Sequence, residues 1–138
     1  MDIAVLGYGV VGSGVAEVIS LNEQKITGKI GEKMNVKYIL DLRKFPGDKN
    51  EDKIIDDFNI ILNDGDVKIV AEAMGGLHPA FEFVSSCLKA GKSVVTSNKE
   101  LVAEKGDILL ELAKENNVNF MFEACLLYTS PSPRDGLL

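Results

Sequence analysis

The residues best suited to chemistry stand near the start of the chain, in Gly7-Tyr8-Gly9-Val10-Val11-Gly12. Three glycines at this spacing, directly after the apolar run Asp2–Leu6 and ahead of a segment with helical periodicity, suit the binding of a diphosphate. Gly7 would make the tight turn, Gly9 would let an anion approach the backbone, and Gly12 would let helix and strand pack closely. The helix start adds unpaired N–H groups and a partial positive charge, so an acidic protein can hold an anion there. Gly14 is expected to ease packing one turn further on.

A second candidate is Asp41, at the end of the apolar residues 36–40 (VKYIL). In a dinucleotide-binding fold, an acid at this place accepts hydrogen bonds from the adenosine ribose. The interval from Gly12 is 41 − 12 = 29 residues, longer than the roughly 20 expected, and the polar excursion at residues 21–33 accounts for the excess. Asp41 would favour NAD by repelling a 2′-phosphate, whereas Arg43 and Lys44 would neutralise one. NAD and NADP therefore both stay open, and an ordinary turn residue is the plain alternative.

Two more loops carry suitable residues. Met74, Gly75 and Gly76 follow the run at residues 67–73 (VKIVAEA), where paired glycines again allow close approach to the backbone. Ser97, Asn98 and Lys99 follow Ser93–Thr96 (SVVT). A lysine at a strand end can orient a substrate or transfer a proton if burial depresses its pKa, although most loop lysines are solvated. Ser97 and Asn98 are as well suited to capping the next helix as to touching a ligand. His78, the single histidine, precedes Pro79 at a helix start and reads as a surface or capping residue.

Elements to hold these residues alternate along the chain. Asp2–Leu6 reads as a buried strand and Val10–Leu21 as a helix with Val11, Val15, Val18 and Ile19 on its apolar face. Residues 36–40 form a second strand, and residues 45–50 a turn rich in Pro, Gly and Asp. Residues 56–64 suit a short helix carrying Phe58, Ile61 and Leu62, and residues 67–73 the next strand. Pro79 opens a helix that stops near Gly91; Ser93–Thr96 is a strand, residues 101–116 a helix interrupted near Gly106, and residues 118–122 a last strand. Continuous apolar strands alternating with helices imply an α/β fold of Rossmann type, a doubly wound, mostly parallel sheet with helices on both faces. Strand-end loops of such a sheet share one crevice, where the glycine turn, Asp41, Gly75 and Lys99 would converge.

Composition narrows the function classes. A chain of 138 residues that is 46% hydrophobic is one domain in size and able to bury roughly two-thirds of its unfolded surface. The net charge of −6, spread without long runs, argues against a nucleic-acid or anionic-membrane surface. With neither a leader pattern nor a span-length apolar run, a cytoplasmic protein is expected. Cys87 and Cys125 lack metal-ligand or disulfide-framework spacing, and Cys87 reads as a small apolar residue on a helix.

Three stretches, "IAVLGYGVVGSGV", "AEAMGGLHPAFEFVSSCLKAGKSVVTSNKELVAEKG" and "NFMFEA", resemble the nucleotide-binding domain of homoserine dehydrogenases, which interconvert aspartate 4-semialdehyde and L-homoserine with NAD(P)H in threonine and methionine biosynthesis. The resemblance implies that Tyr8 to Val11 and Gly12 cradle the pyrophosphate and that Met74 to Gly76 border the nicotinamide half. It also implies that Thr96 and Lys99 lie beside cofactor and substrate, with Lys99 catalytic. The hydride would pass between the nicotinamide and the aldehyde carbon while a lysine ammonium supports proton transfer to the developing alkoxide. Glu123 resembles a residue that helps hold a monovalent cation in the family, but further ligands are absent here and no metal site is assigned. Family members continue into a substrate and dimerisation domain; this chain is expected to be a nearly inactive cofactor domain of a homo-oligomeric parent. Another nicotinamide-dependent oxidoreductase and a free-standing dinucleotide-binding module are the alternatives.

The family pattern is followed over residues 1–124 and then abandoned. Residues 125–138 contain "CLLYTSPSPRD", in which Pro131 and Pro133 break any helix or central strand. A disordered terminus is the bland reading. The string also resembles a translation of the transposase-adapter DNA used in preparing sequencing libraries, and a non-native tail is expected.

Overall fold

The computed structural model of the chain describes residues 2–21 and 35–122. Most of the polar excursion after the first helix, together with Glu123 and the tail, lies outside the described residues. The strands are β1 (Asp2–Leu6), β2 (Asn35–Leu40), β3 (Ile54–Ile55), β4 (Val67–Glu72), β5 (Ser93–Thr96) and β6 (Phe120–Phe122). The helices are α1 (Val10–Leu21), α2 (Phe58–Leu62), α3 (Ala80–Lys89) and α4 (Lys99–Glu115).

The strands form one sheet in the order β3-β2-β1-β4-β5-β6, with every neighbouring pair parallel. From β1 the chain builds outward through β2 and β3, then returns to place β4 on the opposite side of β1. The crevice for a ligand in such a sheet opens at that reversal, beyond the carboxyl ends of the strands. Register makes this edge level: Leu6 pairs with both Leu40 and Glu72, and Glu72 pairs with Thr96. The loops after β1, β2, β4 and β5 therefore all start from one row.

Burial on both faces explains the unbroken apolar runs. Ala4 and Leu6 join the larger core with Val70, Val84, Leu88, Leu101 and Leu109, so α3 and α4 cover that face. Val5 points the other way, into a smaller cluster with Ala16, Val36 and Ile39 beneath α1. Cys87 is fully buried in the larger core, and burial pushes its thiol up to about 12. Lys92 is also buried; its Nζ donates to the carbonyls of Asp64 at 2.7 Å and Val67 at 2.9 Å, satisfying backbone at the start of β4.

Several elements differ from the sequence expectation for identifiable reasons. The two-residue strand β3 is too short to show periodicity. Gly106 does not interrupt α4, because it is buried against its own helix, with Val102 Cγ1 at 3.5 Å from where a Cβ would sit. Val11 is 42% exposed rather than on the buried face of α1, since the first turn overhangs the open crevice. Among the described residues Gly14 makes no close packing contact, as a Cβ there would meet nothing within 4 Å.

Candidate functional site

Gly7 turns the chain with φ of +97°, which side chains rarely adopt. Gly12 backs directly onto that turn: a Cβ there would lie 1.8 Å from the Gly7 carbonyl oxygen. No side chain fits, and the contact sets the N-terminus of α1 over the end of β1. The first-turn amides of a helix have no intrahelical acceptor, so their N–H groups face the crevice mouth with the helix dipole behind them. At Gly9 the backbone is open, a Cβ meeting Arg43 Nη2 at 4.0 Å.

Asp41 ties the second strand to this turn. Its Oδ2 accepts from the Tyr8 N–H at 2.9 Å, while Arg43 donates to the same carboxylate through its backbone N–H at 2.9 Å, Nε at 3.0 Å and Nη2 at 2.8 Å. The Arg43 guanidinium, aided by the two backbone donors, holds the Asp41 carboxyl well below the usual carboxylate range. Arg43 itself is 64% exposed and lies over the Phe45 ring at 5.2 Å. The Tyr8 hydroxyl donates to Asp48 Oδ1 at 2.8 Å and accepts from Asn50 Nδ2 at 3.0 Å, and its ring meets Phe45 edge-on. Tyr8 thus spends both its hydroxyl and its N–H inside the chain.

A cleft of about 420 Å³ opens between these groups and α3. Gly7, Gly9, Asp41 and Arg43 line its polar side; Leu42, Phe58, Met74, Pro79 and Phe83 line its apolar side. Phe58 and Phe83 stack with centroids 4.2 Å apart and planes 18° apart, so the two rings brace each other on that side. Of the residues expected from sequence, Gly7, Gly9, Asp41 and Met74 therefore meet in one cavity. Gly75, Gly76, Thr96 and Lys99 stand further along the same edge and do not line it.

That second stretch is organised by a residue the sequence reading passed over. Glu72 ends β4 and is only 2% exposed. Its Oε1 accepts a short hydrogen bond from the Thr96 hydroxyl, and its Oε2 accepts from the Met74 N–H at 2.9 Å and Asn98 Nδ2 at 3.4 Å. Asn98 also donates through Nδ2 to the Gly76 carbonyl at 2.6 Å, and its Oδ1 caps α4 by accepting from the Leu101 N–H at 3.1 Å. The visible signal was an acid at the end of the strand, directly after Ile69, Val70 and Ala71. Lys99 opens α4 next to that cap, exposed to solvent. His78 pairs with Glu82 one turn on, at 2.8 Å, with both side chains more than half exposed.

Among the described residues, no group of three or more His, Cys, Asp or Glu is placed to hold a metal ion, and no helix is long and apolar enough to cross a membrane. Residues 7–123 match the protein family described as homoserine dehydrogenase, NAD binding domain. The chain is similar to the homoserine dehydrogenase of Lactococcus lactis subsp. lactis, 33% identical over 131 residues, which is 91% of this chain and 31% of that protein. It is similarly related to that of Bacillus subtilis, 34% identical over 125 residues, covering 88% of this chain and 29% of that one. Among solved structures, homoserine dehydrogenase of S. aureus at pH 7.0 superposes with a TM-score of 0.82 at 38% identity, over 90% of this chain and 32% of that one. A hyperthermophilic archaeal homoserine dehydrogenase mutant in complex with NADPH gives a TM-score of 0.71 at 27% identity, over 88% of this chain and 43% of that one. The chain spans about a third of the length of the curated relatives it matches.

Proposed function

The chain belongs to the homoserine dehydrogenase NAD-binding domain family, and from that premise we propose that it is the cofactor half of an enzyme that interconverts aspartate 4-semialdehyde and L-homoserine. The observation that carries the proposal is the contact of Gly12 on the Gly7 carbonyl, which aims the start of α1 at the crevice. The first-turn amides from Gly9 to Gly12 would take the pyrophosphate, with the exposed Val10 and Val11 flanking it. The apolar side with Phe58 and Phe83 suits a planar base, and Asp41 with Arg43 stands where the adenosine ribose would reach.

The Asp41–Arg43 pair bears on cofactor choice. A bare carboxylate would repel a 2′-phosphate, but here it is matched by a guanidinium whose outer face stays exposed. This supports acceptance of both NAD and NADP. Bound at the crevice, the nicotinamide would supply the hydride. Residues 74–76 would border that end, and Lys99 would orient the aldehyde and stabilise the developing alkoxide. The remaining substrate contacts and the assembly of the whole enzyme, with a cytoplasmic location, belong to the same proposal.

Titration of the chain with NADH and NADPH, followed by nicotinamide fluorescence, tests this reading. Saturable binding with negligible reduction of aspartate semialdehyde by the chain alone is expected; binding of neither cofactor overturns it. The domain limit is proposed at Ala124, with residues 125–135 a translated adapter. Source DNA whose reads run from codon 124 into genomic sequence, or whose codons differ from the adapter, would sink that idea.

A further inference from the structure

We propose that Glu72 is a positioning residue for the nicotinamide half of the cofactor, acting through the loop of residues 74–76 and through Thr96 without touching the ligand. The inference rests on the cofactor reading above and names what holds its second half in shape. In a doubly wound sheet each βαβαβ half serves one mononucleotide, and the half beginning with β4 is the one left for nicotinamide once β1 and β2 hold the adenosine side.

The other buried positions of β4 are Val67 and Val70, and burying a carboxylate beside them carries a desolvation cost that demands fixed donors. Three donors meet it, from two loops: the Met74 N–H, the Thr96 hydroxyl and Asn98 Nδ2. Asn98 then grips the Gly76 carbonyl, so one carboxylate links both ends of the glycine loop to the cap of α4, where Lys99 begins. Gly75 and Gly76 sit at φ of +80° and +76° with nothing within 4 Å of a would-be Cβ. Among the described residues no side chain closes over these two glycines, and the hydrogen bonds beneath the turn are what hold its shape. The Thr96 hydroxyl donates to Glu72 and accepts from the Asn98 N–H at 3.0 Å, which commits its one proton to Glu72.

Glu72→Gln keeps the shape and can still pair, its amide N–H2 on the Thr96 hydroxyl and its carbonyl on the Met74 N–H, but it gives up the charge that strengthens these bonds. Affinity is measured for NADH, or for NADPH if that binds tighter, and for ADP-ribose, which has the adenosine and diphosphate but no nicotinamide. The variant should lose about tenfold in affinity for the full cofactor, the loss that accompanies one charge-assisted hydrogen bond, and less than twofold for ADP-ribose. Thr96→Val should show the same selective loss and Thr96→Ser should restore it, which keeps the test decisive if Glu72→Gln fails to fold. Equal losses for both ligands would reduce Glu72 to a structural residue and overturn the proposal, as would no loss for either. An unmodified chain that binds ADP-ribose but not the full cofactor overturns it as well. An unmodified chain that binds neither instead refutes the cofactor reading, and the inference falls with it.

Discussion

Two glycines two residues apart in α1 should respond oppositely to the same substitution. In Gly12→Ala the new Cβ would lie 1.8 Å from the Gly7 carbonyl oxygen and 2.8 Å from its carbonyl carbon, against the 3.0 Å below which real Cβ contacts essentially do not occur. The obstacle is backbone, so no rotamer relieves it, and α1 must retreat from β1 by about 1.2 Å, the difference between 3.0 and 1.8 Å. Overpacking of this kind costs about 1–3 kcal/mol, and an angstrom-scale misplacement of a binding group lowers function by up to about 100-fold. Gly14→Ala meets nothing within 4 Å among the described residues, so helix propensity alone acts and the variant gains about 0.5–1 kcal/mol. Thermal unfolding should separate the pair, at roughly 4 °C per kcal/mol for a domain of this size, with Gly12→Ala below and Gly14→Ala above the parent. Cofactor titration should show the loss in Gly12→Ala alone. Equal melting temperatures, or unaltered binding in Gly12→Ala, would refute the claim that this contact aims the helix.

The other expectations concern single side chains. Arg43→Ala should weaken NADPH by about tenfold while changing NADH little, measured as a ratio of dissociation constants, because the guanidinium is what offsets the Asp41 charge. Asp41 has a depressed pKa in the folded state, so its contribution to stability is present above its unfolded value near 3.8 and is lost as pH falls below that. Urea midpoints measured from pH 6 down to pH 2 should therefore drop less steeply in Asp41→Asn than in the parent. Lys92→Ala strips a donor from the buried Val67 carbonyl and from the partly buried Asp64 carbonyl and should destabilise by about 1–3 kcal/mol in urea without changing cofactor affinity. Cys87, buried and with its thiol raised to about 12, should stay unalkylated by iodoacetamide until denaturant is added, as read by peptide mass spectrometry.

The strands and the glycine turn were legible because each writes its own signal over several residues. After Asp2 the first strand is apolar from Ile3 to Leu6 since both its faces are covered, and Gly7 to Gly12 matches a backbone geometry that tolerates no substitute at Gly12. The edge strand Ile54–Ile55 was not legible, because two residues carry no period and its place comes entirely from pairing with Ile39 and Leu40. The family resemblance implied Tyr8 beside the phosphates; the hydrogen bonds of its hydroxyl to Asp48 and Asn50, some forty residues away, leave no local trace. Thr96 and Asn98 were read one by one, whereas their geometry comes from Glu72, a residue of another strand. What sequence patterns convey well is local conformation. What they hide is which distant group a polar side chain will face.

The placement of β1 has a consequence in time as well as in space. Its residues are made before any other described strand, yet its two neighbours begin at Asn35 and Val67. At 5–20 residues per second, synthesis from Leu6 to Glu72 takes roughly 3–13 s, during which β1 lacks one of its partners. Parallel pairing across such separations is slow to nucleate, so the strand made first waits with one edge unpaired, and the nascent chain depends on being kept from its neighbours until β4 arrives.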